Sequence, residues 1–120
     1  MHLNIDADSA VAPFDQVRLQ IIEQVRSGVL IAGTKIPTVR ALASTLNLAP
    51  NTVAKAYREL GREGVIETHG KQGTFIASGG DPTRTHAERA ATQYVQELRN
   101  LGISDEDVLG FVRSALRGAD

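Results

Sequence analysis

The pattern that most limits the fold is a pair of short amphipathic segments separated by three residues. In the first segment, after Thr38 as a candidate N-cap, apolar residues recur every three or four positions from Val39 to Leu46. Pro50 then opens the second segment, at a position where a missing backbone N–H costs nothing. The apolar positions of this second segment are Val53, Ala56, Tyr57 and Leu60. Two helices joined by so short a turn form a helix-turn-helix.

The elements on either side of this pair extend the prediction. Apolar spacing predicts a helix from Pro13 to about Gly28, and residues 29–37 are predicted to be a connector with a turn at Gly33. Residues 65–68 and 74–77 are β-branched runs around a glycine-containing loop, which is typical of a hairpin. Helix, turn, helix and hairpin together form a winged helix-turn-helix. The fold class predicted is therefore mainly α with a small β hairpin.

A change of composition near residue 79 predicts a domain boundary. Residues 1–78 form the predicted winged helix-turn-helix domain, residues 79–84 a Gly-Gly-Asp-Pro linker, and residues 85–120 a two-helix tail. Thr85 followed by Glu88 has the spacing of a capping box at the start of the tail. About forty residues in two helices make a poor independent core, so we expect the tail to pair with a second copy. The predicted dimerisation residues are Ala87, Ala91, Tyr94, Leu98, Leu101, Leu109, Val112 and Leu116.

Composition excludes several classes of function. The chain has 120 residues, no cysteine and three widely spaced histidines, so thiolate chemistry is excluded and a histidine metal site is not expected. The sequence also offers no clustered His/Cys/Asp set and no phosphate-binding loop. We therefore predict no catalytic residues, no metal and no cofactor. Without a long apolar run or a signal peptide, the expected location is the cytoplasm, away from membranes.

Charge is distributed unevenly, although the net charge is only −1. Residues 34–78 carry six Lys or Arg against three Glu, whereas residues 79–120 carry five Arg against seven acids. On the second helix of the pair, Asn51 and Thr52 stand outside the apolar stripe, followed by Lys55, Arg58 and Arg62. Amide and hydroxyl groups can contact base edges, and cations bind phosphates. This face predicts binding to double-stranded DNA.

An ordered set of spacings makes the prediction specific. It reads G-x-L-x-x-G-x-x-I-P-T-x-R-x-L-A over 28–43, P-N-T-V-x-K-A-Y-x-x-L over 50–60 and G-x-x-G-T-F-I over 70–76. This set resembles the signature of the GntR family of bacterial transcription regulators, over residues 13–77. The tail is similar to that of the YtrA-type branch, in which two helices serve dimerisation.

The resemblance implies roles for individual residues. The family's DNA-contacting arginine corresponds to Arg40, and the family's wing-tip glycine corresponds to Gly70. Where many members have Ser-Arg-Thr at the start of the recognition helix, residues 49–51 are Ala-Pro-Asn, so base recognition would depend on Asn51, Thr52 and Lys55. The complete predicted DNA-binding set is Thr38, Arg40, Pro50, Asn51, Thr52, Lys55, Arg58, His69, Gly70 and Lys71.

The predicted function is therefore sequence-specific regulation of transcription, with repression as the expected mode. The predicted partners are a pseudo-palindromic DNA operator and a second copy of the chain, and an unknown small-molecule effector is left open. Two alternatives belong to other classes: a winged helix used purely for protein–protein assembly, and a small enzyme. A neutral or acidic outer face on residues 50–63 would have favoured the first alternative, and a catalytic cluster would have favoured the second.

Overall fold

The computed structural model describes residues 1–77 and 82–118, and the side chains of all of these except residues 82 and 83. Its elements in chain order are α1 (Pro13–Arg26), β1 (Lys35–Ile36), α2 (Val39–Leu46), α3 (Pro50–Arg62), β2 (Ile66–Thr68), β3 (Thr74–Ile76), α4 (Pro82–Asn100) and α5 (Asp105–Gly118). A single 3₁₀ turn, Gly70–Gln72, joins β2 to β3. The predicted winged helix-turn-helix followed by two further helices is confirmed.

The core of the domain lies where α1 and α2 pack against α3. The apolar stripe predicted for α3 is buried along its whole length, and it meets the inner faces of the other two helices. The most completely buried large side chains are Val17, Ile21, Val53, Leu60 and Ile76. Arg18 of α1 also reaches Glu63 at the end of α3, with 2.8 Å between guanidinium and carboxylate. These contacts fix the orientation of α3.

The turn between α2 and α3 is set by Asn47. This residue adopts the left-handed conformation, with φ of 56°, which Asn tolerates better than most residues. Leu48 N–H then donates to the carbonyl of Ala43 at 2.9 Å and closes the end of α2. Pro50 follows as the first residue of α3, as predicted.

The sheet has three strands, one more than the predicted hairpin. β3 lies in the middle, antiparallel to β1 on one side and to β2 on the other. The predicted connector at residues 29–37 therefore contains a strand, and Lys35 lies opposite Phe75. A strand of two residues is too short to show the alternation of apolar and polar residues that predicts a strand. Only the pairing with β3 makes these two residues a strand.

Residues 2–6 are held against α1 by three glutamines one helical turn apart. The Gln16 side chain both donates to the carbonyl and accepts from the N–H of Asp6, and Gln20 does the same for Asn4. Gln24 donates to the carbonyl of His2 at 2.7 Å. The intervening Leu3 is buried in the core, so this segment belongs to the domain.

The start of the tail differs from the prediction. α4 begins at Pro82, three residues before the predicted Thr85. Residues 82–84, predicted as linker, are therefore helical, and residues 79–81 lie outside the described part of the chain. The predicted capping box is also wrong, because Glu88 lies in the second turn of α4 and accepts from the backbone N–H of Ala32 instead.

The two tail helices pack on each other through a small contact. Val108 of α5 is buried, and the Tyr94 hydroxyl of α4 donates to its carbonyl at 3.3 Å. Arg99 binds both carboxylate oxygens of Asp105 at 3.1 Å, which lowers the pKa of Asp105 and closes the turn between the helices. Among the described residues, no helix is long and apolar enough to cross a membrane.

Candidate nucleic-acid interface

The N-terminus of α2 presents Thr38 and Arg40 to solvent. Thr38 is the N-cap, and its hydroxyl accepts from the N–H of Ala41 at 3.1 Å, so its own proton is free to donate outward. The side chain of Arg40 makes no hydrogen bond or ion pair with any residue that the structure describes. The two predicted contacts therefore lie two residues apart at the start of α2, and Thr38 also caps the helix.

The first turn of α3 is open to solvent. Pro50 and Asn51 are exposed and Thr52 is half-buried, whereas Val53 is fully buried. Ala49, the N-cap, offers no side-chain acceptor to the turn. The positive end of the helix is therefore left uncovered by its own cap, which favours a negative partner.

Tyr57 fixes α3 against the start of α2. Its ring belongs to the core, and its hydroxyl donates to the carbonyl of Pro37 at 2.7 Å. Burial raises the pKa of Tyr57, so the hydroxyl stays protonated and keeps donating. Thr38 follows Pro37 directly, so this bond sets the distance between the start of α2 and the exposed face of α3.

The predicted cations of α3 point in different directions. The Lys55 ammonium lies 3.9 Å from the centre of the Phe14 ring, on the side of α1. Arg58 instead lines a groove of about 620 Å³ between α3 and the sheet, together with Val39, Thr68 and Thr74. The structure thus brings Arg58, the start of α2 and the wing strands around one groove and places Lys55 outside it.

The wing carries His69, Gly70 and Lys71 at its exposed end. The His69 ring lies 3.0 Å from the Glu67 carboxylate and packs edge-on against Phe75. Gly70 starts the 3₁₀ turn with φ of +54°, and Lys71 is exposed within it. The side chain of Lys71 makes no hydrogen bond or ion pair within the described ranges, whereas the His69 ring already contacts Glu67.

One wing cation was not among the predicted contacts. Lys35 of β1 is exposed, and its side chain runs beside Gly73, where an added Cβ would approach the Lys35 Cε to 2.8 Å. Gly73 also has φ of +117°, so both space and conformation favour glycine there. Sequence spacing could not find this pair, because the pairing of β1 with β3 creates it.

Near α3 and the wing, three glutamates form ion pairs inside the protein, whereas several lysines and arginines do not. Glu59 binds Arg62, Glu63 binds Arg18, and Glu67 is shared by His69 and by Arg89 of α4. In the part of the chain that the structure describes, Lys35, Arg40, Arg58 and Lys71 make no ion pair. The acids are therefore neutralised locally, and these four cations remain available.

The residues predicted for dimerisation lie on two surfaces of the tail. Tyr94 and Leu98 are half-buried, whereas Ala87 and Ala91 on α4, Leu101 in the turn after it, and Leu109, Val112 and Leu116 on α5 are exposed. An apolar groove lies between the two helices. It is lined by Tyr94, Phe111, Val112, Ala115 and Leu116.

Sequence comparison identifies relatives of the whole chain. Residues 13–76 match the family described as "Bacterial regulatory proteins, gntR family". An HTH-type transcriptional regulator of Mycobacterium tuberculosis is 46% identical over 110 residues, which cover 92% of this chain and 90% of that protein. The HTH-type transcriptional repressor YtrA of Bacillus subtilis is 37% identical over 99 residues, 82% of this chain and 75% of that protein.

A solved structure matches the tail as well as the winged domain. The GntR-family transcription factor YtrA from Sulfolobus acidocaldarius superposes with a TM-score of 0.60 at 26% identity, covering 97% of each chain. The fold described above, the match over residues 13–76 and these relatives agree with one another. The chain belongs to the GntR family of bacterial transcription regulators, in its YtrA-type branch, and is a DNA-binding regulator of transcription.

Proposed function

We propose that this regulator binds a pseudo-palindromic operator as a homodimer and represses transcription. In each protomer α3 lies in the major groove of one half-site, and the wing contacts the neighbouring backbone. Repression is the mode named for the similar YtrA of B. subtilis. The observation that carries the proposal is the exposed start of α3 beside a set of unpaired cations.

Affinity comes from phosphate contacts. Arg40, Arg58 and Lys71 are exposed and lack an internal ion pair within the described residues, so binding DNA breaks no existing bond of theirs. Lys35 adds a fourth cation beside the wing. Lys55 can leave Phe14 for a phosphate at small cost, because an exposed cation–π contact is worth only about 0.5–1 kcal/mol.

Specificity comes from the first turn of α3. The Asn51 amide can both donate and accept, which suits adenine in the major groove, and the Thr52 hydroxyl can contact either base. Pro50 shapes this turn without donating a hydrogen bond. Thr38, His69 and Gly70 complete the predicted contact set at the edges of this surface, through a hydroxyl, an imidazole and a backbone N–H.

The apolar groove of the tail supports the homodimer. Leu101, Leu109 and Leu116 are each more than half exposed, and Phe111 and Val112 line the groove beside them. A radius of gyration of 16.3 Å exceeds the roughly 14 Å typical of a compact domain of this length, because the tail projects from the winged domain. A twofold-related copy would cover these side chains and align two α3 helices.

The observations give less support to the two alternative functions, a protein-assembly module and a small enzyme. A winged helix serving only protein assembly would not need unpaired cations around an open α3 terminus. A small enzyme is not favoured, because the similar proteins are named as regulators of transcription. The effector and the cytoplasmic location remain predictions from the sequence.

Selection from random duplex DNA with the purified protein tests the proposal. We expect enrichment of an inverted repeat, with affinity falling about 10³-fold between 50 and 200 mM salt if six phosphates are neutralised. Unsymmetrical or unenriched sequences would contradict the homodimeric reader, and a flat salt dependence would contradict the phosphate contacts.

A further inference from the structure

α4 is attached to the winged domain through the backbone of Ala32. The N–H of Ala32 donates to Glu88 Oε2 at 2.9 Å, and the Thr92 hydroxyl lies 3.1 Å from the carbonyl oxygen of Ala32. Ala32 is 1% exposed. Two side chains one turn apart on α4 therefore contact both polar groups of one buried backbone residue. The single Thr92 proton is shared with the carbonyl of Glu88, which also lies at 3.1 Å. Leaving these buried backbone groups without partners would destabilise the fold.

The segment that α4 contacts is also hydrogen-bonded to β3. Gly33 N–H donates to the carbonyl of Ile76 at 2.9 Å, and Ile76 N–H donates to the carbonyl of Thr34 at 2.8 Å. Residues 32–34 are thus held by β3 on one side and by α4 on the other. A rotation of α4 would therefore break hydrogen bonds to a segment that β3 also holds.

One further polar contact joins α4 to the winged domain, since Arg89 lies 3.5 Å from Glu67 of β2. Within α4, the Arg84 guanidinium binds the second oxygen of Glu88 at 2.8 Å and holds the carboxylate in place. The pKa of Glu88 is lowered, mainly by the hydrogen bond from Ala32 and then by Arg84, so the carboxylate is ionised at neutral pH. Apolar packing would tolerate sliding, whereas these hydrogen bonds specify a single position along the helix.

We propose that Glu88 and Thr92 are positioning residues that make the operator spacing specific. They lock the winged domain to α4, so a dimer formed through the tail holds its two α3 helices at one separation. This inference rests on the proposed homodimer. A freely tethered domain would accept half-sites at several spacings, since a tether samples many separations. A locked one accepts a single spacing, because one extra base pair shifts a half-site by about 3.4 Å and rotates it around the duplex axis.

The first test measures the lock without DNA. The chain has no native cysteine, so spin labels can be placed at L19C on α1 and Q93C on α4, both exposed positions. Labelled protein is diluted with unlabelled protein to isolate distances within a protomer. We expect a narrow distance distribution in the otherwise unchanged chain and a broad one in the E88L/T92V variant. Equally narrow distributions in both would overturn the lock.

The second test measures operator spacing. Duplexes carry the inverted repeat enriched by the wild-type protein, with its spacer unchanged or altered by one or two base pairs. We expect the wild-type protein to lose about 100-fold in affinity when the spacer changes, because the second half-site no longer contributes. The E88L/T92V variant should lose only a few-fold. A broad distance distribution with unchanged spacing preference would overturn the role in specificity.

Matched variants separate this role from a general loss of structure. E88Q and T92S keep an acceptor and a hydroxyl, and should retain the wild-type spacing preference. E97L makes the same chemical change as E88L at an exposed position of α4, and should also behave as wild type. If the wild-type protein enriches no inverted repeat, the proposed homodimer fails, and the distance measurement still decides whether α4 is locked.

Discussion

The substitution F111E tests whether the apolar groove of the tail is the dimer interface. Phe111 is 52% exposed in the single chain. An aromatic side chain presents about 200 Å² of surface, so about 100 Å² is available for burial in each protomer. At about 25 cal/mol per Å² this gives roughly 2.5 kcal/mol per protomer, and about twice that in a twofold-symmetric dimer.

We therefore expect F111E to weaken dimerisation by at least about 10³-fold, and by more where the new charge stays unpaired. Sedimentation equilibrium across a range of concentrations measures this constant directly. The matched control is L19E, since Leu19 is 47% exposed on α1, outside the tail. Equal dimerisation of F111E and the wild-type protein would refute the assignment of this interface, as would an equal loss in L19E. Circular dichroism should show an unchanged helix content in both variants.

Three further results are expected. Y57F should lower the free energy of unfolding by about 1–3 kcal/mol in chemical denaturation, because it leaves a backbone carbonyl without its donor; an unchanged midpoint would contradict this role. Q20L should loosen residues 2–6, because it removes both bonds to Asn4; hydrogen exchange should become faster in residues 2–6 alone, and unchanged exchange there would contradict this role. Glu88, whose folded-state pKa is lowered, stabilises the fold above its ordinary pKa of 4.5, and this stabilisation disappears as pH falls through the lowered value. E88Q should remove that part of the pH dependence of the free energy of unfolding. The same loss of stability at acid pH in E88Q and in the wild-type protein would contradict this role of Glu88.

The helices and the wing could be predicted because their apolar residues follow local periods. The buried stripe of α3 and the hairpin strands lie close to their predicted places. The strand β1 could not be predicted, since Lys35 and Ile36 become a strand only by pairing with Phe75 and Thr74, 40 and 38 residues further along the chain. The hydrogen bonds of the α1 glutamines could not be predicted either, because their partners are backbone groups of residues 2–6 and follow no side-chain pattern.

The same limit applies to the candidate interface. The outward face of α3 follows from helical geometry once the buried stripe is known, so Asn51 and Arg58 could be named from the sequence. The contact of Lys55 with Phe14 and the position of Lys35 beside Gly73 are tertiary and have no local pattern. Glu88 was assigned to a local cap for the same reason, whereas its partner Ala32 is 56 residues away.

The most direct test of the central claim compares N51A with K71A on the enriched operator and on all its single-base variants. The account predicts that N51A loses about 1–3 kcal/mol for the preferred base at particular positions and loses discrimination there. K71A should weaken binding to every sequence about equally and reduce the salt dependence by about one phosphate contact. A base-preference profile for N51A identical to that of the wild-type protein would contradict the assignment of α3 as the reading helix.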